Sequence, residues 1–343
     1  MTTTDTPAAP SRPDPGLRPH RLRRTLDVVG VQNLSLIIAL VALCAAIGSQ
    51  NSNFFLLSNI QTIGTTVAIV GILAVVQTVV MLLGGLDISV GSAAGLTSVA
   101  SAMIFTSSSS AALGIVVGLL VGVAVGLLNG LVIVYGRVNA VIATLATYSA
   151  LRGLANLISD GRAQGYTGTD STFVFLARGS ALGIPILVWV LIVVALLAHL
   201  MLRYTDIGRN IYATGGNPTA ARLAGINLNR YVIGCYVLAG FVAGIAGILL
   251  TARTGSGQPT SGSQGLELQS ITAAALGGVA LQGGKGGISG TVFAVLLLGV
   301  LQNGLTILDV NSFWQDIAQG ALLVAAVVIQ QRRKGLRAYG LPR

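Results

Sequence analysis

Residues 208–230 read GRNIYATGGNPTAARLAGINLNR, a polar island between two long apolar runs. The island carries Arg209, Arg222 and Arg230. It also holds a miniature helix marked at both ends. Asn217 suits the N-cap, Pro218 the first helical position, and Gly225 the C-terminal stop. Only about two turns fit between these marks, and so short a helix is marginal alone in water because nucleation is costly. One reading is a capped basic helix held between membrane spans for a partner to grip. The other is a solvated loop with an incidental turn.

The composition around the island bounds the class. The chain has 343 residues, 53% hydrophobic and 9% charged, with a mean hydropathy of +0.81. Soluble domains carry about 25% charged residues, so this chain cannot bury its surface as one water-soluble globule. It reads as an all-α polytopic membrane protein. The 45 glycines agree, since glycine is more frequent in membrane helices than in soluble ones.

Apolar runs fall at 31–49, 62–83, 87–106, 111–135, 140–159, 182–202, 231–252, 267–282, 288–308 and 313–330. Most reach the roughly 20 residues that cross a bilayer. About ten transmembrane helices are expected, with 87–106 and 267–282 as either full or partial crossings, because each adjoins a glycine cluster. An even number of spans puts both termini on one side. The basic residues choose that side as the cytoplasm: sixteen fall on it against three on the other. Arg12, Arg18, Arg21, Arg23 and Arg24 cluster before the first span, and Arg332, Arg333, Lys334, Arg337 and Arg343 after the last. The net charge of +10 is thus a topology signal rather than a nucleic-acid patch.

Enzymatic chemistry finds little support. Glu267 is the only glutamate and the nine aspartates are scattered. His20 and His199 are peripheral, so neither a catalytic triad nor a metal cluster forms. Cys44 and Cys235 lie within apolar runs, as small core residues do. GGKGG around Lys285 fails the Walker A pattern twice, with Val279 and Gly286 in place of glycine and Ser/Thr. TGSGQPT lacks the third glycine of a dinucleotide fingerprint. No cofactor is expected on this chain, and it holds no energy source of its own.

Two glycine patterns stand out. Gly114, Gly118, Gly122, Gly126 and Gly130 recur every fourth residue, a ridge without side chains along which another helix packs closely. LLGGLDISVG (82–91) and LQGGKGGISG (281–290) share glycines at a constant offset, either as traces of duplicated halves or as two tight turns.

Polar residues inside spans are costly and so are candidates for function. They are Gln77, Asn129, Asn139, Thr144, Thr147, Tyr148, Arg152, Asn156, Gln302, Asn303, Gln315, Asp316 and Gln319. Thr144, Thr147, Tyr148 and Arg152 share one side of the fifth span at helical spacing. Amides and hydroxyls suit a neutral, hydroxyl-rich solute, or else they bond neighbouring helices together. Gln77, Asn139, Thr144, Thr147, Tyr148, Arg152, Gln302 and Asn303 are the candidate translocation pathway. Mid-membrane carboxylates of the kind that couple protons or sodium are scarce, because Asp87 and Asp309 sit at span ends.

Five motifs carry a family resemblance: GGLDISVGS (84–92), VNAVIATLATYSALRGLA (138–155), YATGGNPTAARLAGI (212–226), LGGVALQGGKGGISGT (276–291) and LQNGLTIL (301–308). Together they resemble the membrane subunit of ribose-type ABC importers, which take up ribose, xylose, galactose, rhamnose and related solutes. The resemblance covers about residues 30–332. It implies a type II importer permease in the bacterial inner membrane, paired with a second copy or a homologue. ATP and magnesium would be bound by separate ABC ATP-binding subunits, and solute delivered by an extracytoplasmic binding protein.

The implied layout is a disordered basic cytoplasmic tail over 1–27, a transmembrane permease domain over 28–332 and a basic tail over 333–343. A cytoplasmic coupling loop spans 203–230. Within it Asn217, Pro218, Thr219, Ala220, Ala221, Arg222, Leu223, Ala224 and Gly225 would form the coupling helix that docks on the ATPase. One position departs from the family: many such loops carry an acidic residue before the two alanines, and here Thr219 stands there. Alternatives are a permease of the branched-chain amino-acid group, whose charged substrate needs cationic partners such as Arg152, and a stand-alone secondary transporter or channel.

Overall fold

The computed structural model describes residues 31–165 and 167–333. The tails expected over 1–27 and beyond Arg333 lie outside those residues. Among the described residues the chain is built from α-helices: α1 (Val31–Gln50), α2 (Leu57–Leu82), α3 (Val90–Ser108), α4 (Ala111–Val134), α5 (Ala140–Ser159), α6 (Ser171–Arg178) and α7 (Ile186–Tyr204). They continue with α8 (Asp206–Gly216), α9 (Pro218–Leu223), α10 (Leu228–Thr254), α11 (Leu266–Leu276), α12 (Ile288–Ile307) and α13 (Ser312–Arg333). Among the described residues, extended structure comprises a hairpin of two-residue strands, β1 (Ser180–Ala181) and β2 (Ile184–Pro185), and an isolated antiparallel bridge between Gln164 and Gly257.

Eight of these helices, α1 to α5, α7, α10 and α12, are long and apolar enough to cross a membrane. α13, with 22 residues, has the length as well. The molecule is an all-α polytopic membrane protein. The run 267–282 is not a full crossing. Its helix, α11, has 11 residues, about 16 Å of rise against a hydrocarbon core of about 30 Å. The helix stops because the glycines that follow take left-handed conformations, with φ of +90° at Gly278 and +91° at Gly283. The run 87–106 is also trimmed: Asp87, Ile88 and Ser89 form a turn, and α3 begins at Val90.

α2 lies at the centre. From Val67 to Leu82 every residue but Val70 is buried, as a helix apolar on all sides requires. α7, α10, α11 and α12 pack against it, α3 packs on α4, α5 and α10, and α1, α5 and α7 present broad apolar faces outward. The glycine ridge of α4 fits against α10. A Cβ on Gly122 would strike the Gly240 carbonyl oxygen, and one on Gly126 the Tyr236 carbonyl oxygen. Gly130 lies against Ile233 and Gly118 against Ile248, while Gly114 turns to Ser101 and Phe105 of α3. Bare backbones thereby approach along four turns of both helices.

Candidate functional site

The polar island folds as two helices rather than one. Thr205 ends α7 and starts α8: its hydroxyl donates to the Met201 carbonyl at 2.6 Å and accepts the Gly208 N–H at 3.3 Å. Asp206 in the first turn pairs with Arg209. Residues 208–216 are thus helix rather than polar loop, and the Thr205–Asp206 start signal marks that helix in the sequence.

Asn217 joins the two helices. Its N–H closes α8 on the Ala213 carbonyl at 3.0 Å, and its side-chain oxygen accepts the Ala220 N–H of α9 at 3.0 Å. Pro218 occupies the first turn. At the far end Gly225 takes φ +83°, and the Ile226 N–H bonds the Ala221 carbonyl at 3.0 Å. Ala224 is the cap after Leu223 rather than part of the helix. Ala221 is buried and holds α9 to the body; Thr219, Ala220 and Arg222 face out, and Leu223 is 86% exposed. A large apolar side chain on a fixed, capped, basic helix is a surface suited to a partner.

The C-terminal end of α8 is wedged into the membrane body. A Cβ on Gly215 would collide with the Leu82 carbonyl oxygen, and would come within 2.8 Å of the Gly284 nitrogen. The two look-alike turns meet at this point. The Gly284 N–H donates to the Leu82 carbonyl at 2.8 Å, and the Tyr212 hydroxyl of α8 donates to the Gly286 carbonyl at 2.8 Å. Gly84 and Gly283, at φ +94° and +91°, both lie against Gly215. Through α8, the exposed helix α9 is thus joined by backbone contacts to the turns that precede α3 and α12.

Polar side chains from four helices hold the turn 84–89. Asp87 accepts the Ser89 N–H at 2.9 Å and its hydroxyl at 2.6 Å, and Asn129 of α4 donates to the Ser89 oxygen at 2.8 Å. The Gln77 amide, oriented nitrogen toward the Asp87 carbonyl, makes paired bonds of 3.1 and 3.2 Å with the Asp87 backbone. Thr144 of α5 and Tyr236 of α10 each donate to the Leu86 carbonyl at 3.2 Å.

The eight candidate pathway residues therefore do not converge. Gln77 and Thr144 clamp this turn. Asn139 caps α5 through the Val141 N–H at 2.9 Å. Thr147 returns its hydroxyl to the Ala143 carbonyl at 3.2 Å. Tyr148 lies under the Arg152 guanidinium, 4.9 Å from its ring centre, and the Arg152 Nε and Nη2 are buried without a hydrogen-bond partner among the described residues. Asn303 exchanges two amide bonds with Asn59 of α2, at 2.9 and 3.1 Å. Gln302 stands apart, beside a cleft between α2, α11, α12 and α13.

A bundle of apolar spans carrying a capped external helix defines a polytopic membrane protein. Residues 59–327 match the family described as branched-chain amino acid transport system / permease component, and the chain belongs to that family of ABC importer permeases. It is 40% identical over 300 residues to the ribose import permease protein RbsC of Escherichia coli strain K12, covering 87% of this chain and 93% of that one. RbsC of Bacillus subtilis strain 168 is 39% identical over 303 residues, covering 88% and 94%. The L-arabinose ABC transporter permease protein AraH of Azospirillum brasilense is 37% identical over 325 residues, covering 95% of each chain. No solved structure matches.

Proposed function

We propose that the chain forms the membrane pathway through which a monosaccharide, a pentose first of all, is taken up across a bacterial plasma membrane. The carrying observation is near-full-length similarity to permeases named for ribose and L-arabinose. ATP hydrolysis occurs on a separate ATPase that grips α9 from the cytoplasm. An extracytoplasmic binding protein delivers the solute, and two permease chains, identical or homologous, enclose the path. Closing of the ATPase dimer draws the two α9 helices together, and α8 passes that motion to the turns at 83–89 and 277–287. Apart from the basic Arg222, α9 offers Leu223 and the helix itself for docking, with Thr219 where an acidic residue is common.

The family description favours a second reading, uptake of a branched-chain amino acid. The solute experiment separates the two. The binding protein that associates with the permease is titrated with pentoses, hexoses, deoxysugars, polyols and leucine. Sugar binding supports the proposal; binding of leucine and no sugar overturns it. Loss of transport on ATP depletion, with an ATPase retained by the tagged chain, supports the energy source, and persistent transport without any ATPase overturns it.

A further inference from the structure

Two cavities meet where α7 passes α10. The first, of about 690 Å³, lies at the polar island, between the end of α7, α8, the stretch that follows α9 and the start of α10. The second, of about 560 Å³, lies deeper, between α2, α7 and α10. Met201 and Leu238 line both, so the two form one continuous groove.

The chemistry changes along the groove. No charged, hydroxyl or amide side chain lines the deeper part. Its floor is Val75, Val76 and Val79 of α2, all buried, while Leu197 of α7 on its lip is 60% exposed. The deeper part therefore opens on the lipid-facing surface. On α10 it runs from Leu238 to Ile245, about 10 Å of rise, within the roughly 15 Å that one leaflet gives to the hydrocarbon core. The end at the island carries hydrogen-bond donors instead. The Arg230 guanidinium has no hydrogen-bond or ion-pair partner among the described residues. The Tyr231 hydroxyl accepts from the Asn210 amide of α8, which leaves its own proton to donate. Asn227 accepts the Arg230 N–H through its side-chain oxygen, which leaves its amide nitrogen to donate. No acidic side chain lines either cavity. An apolar slot that ends in a cation and two neutral donors matches an acyl chain that ends in a phosphate, and the unbalanced positive charge favours a headgroup with net negative charge.

We infer that this groove binds an anionic glycerophospholipid from the leaflet that borders the polar island, its acyl chain between α7 and α10 and its phosphate held by Arg230 and Tyr231. The inference needs a chain that spans a bilayer, whatever solute it carries. The test places a tryptophan on the groove, Phe241→Trp, in a chain with Trp189 and Trp314 replaced by phenylalanine. The chain is reconstituted in vesicles of phosphatidylcholine and phosphatidylglycerol, with bromine on the acyl chains of one lipid or the other, and quenching of the tryptophan is measured. Brominated phosphatidylglycerol should quench at a mole fraction roughly fivefold lower than brominated phosphatidylcholine, as expected for one arginine at a membrane surface. Arg230→Gln with Tyr231→Phe should remove that preference without shifting thermal unfolding. Arg137→Gln, at an exposed arginine outside both cavities, should preserve it. Equal quenching by the two lipids means ordinary solvation and overturns the site. So does a preference that survives the double substitution, one lost equally in Arg137→Gln, or one that excess inorganic phosphate removes. Protection from both lipids means that protein, such as a second copy of the chain, covers the groove, and this too overturns the inference.

Discussion

Gly122 of α4 and Gly240 of α10 each occupy the space that the other's Cβ would need. The contact is backbone on backbone, so no side-chain rotation relieves an added methyl group. Gly122→Ala or Gly240→Ala is expected to destabilise the bundle by about 1–3 kcal/mol, the usual range for overpacking. Thermal unfolding of the detergent-purified chain checks this. Leu120→Ala, at a site on α4 that is 61% exposed, should leave the transition in place.

Leu223 touches little of its own chain. Leu223→Glu should therefore abolish retention of the ATPase while thermal unfolding stays as in the unsubstituted chain. Asn217→Ala removes the N-cap of α9, which costs about 1 kcal/mol in comparable helices, and retention should weaken rather than vanish. Co-purification at matched expression distinguishes the two. Normal assembly of the Leu223→Glu chain would remove α9 from its proposed role.

Gly215 lies between α9 and the membrane turns. A methyl group there meets the Leu82 carbonyl without touching the exposed face of α9. Gly215→Ala is expected to keep the ATPase bound and lower uptake per ATP hydrolysed by roughly two- to thirtyfold, the span of coupling changes worth 0.5–2 kcal/mol. Paired measurement of hydrolysis and uptake in proteoliposomes is the check. An unchanged ratio would remove Gly215 from the transmission route.

Ser89 both donates to Asp87 and accepts from Asn129. Ser89→Ala strips both partners, and a buried polar group left unpaired costs about 1–3 kcal/mol. Asn129→Leu alone should be damaging too, but the double substitution should cost less than the two losses added together. Additive losses in a thermal double-mutant cycle would mean that the two side chains do not act through one another.

The candidate site was legible in part. The capped helix at 218–223 was readable because its signals are local: Asn217 supplies a side-chain oxygen, Pro218 a fixed φ, and Gly225 a tolerance of positive φ. α8 was hidden, since a polar, glycine-containing stretch reads as loop until its Thr205 start is weighed. Gln77 and Thr144 were recognised as costly residues within spans, yet their partners, the backbone of the turn 84–89, belong to another segment. Which polar groups meet is a property of packing, and no spacing along one helix reveals it.

By itself, the sequence determined that this chain lives in a bilayer and that a short capped helix lies in a polar break between its spans. Those follow from composition, apolar run length and local backbone preference, which act over a few residues. Only the tertiary structure decided that 267–282 stops halfway, that the two similar glycine turns meet at Gly215, and that polar side chains of four helices meet at the turn 84–89. These depend on which backbones approach closely enough to exclude a side chain, and that is settled between segments far apart in the chain.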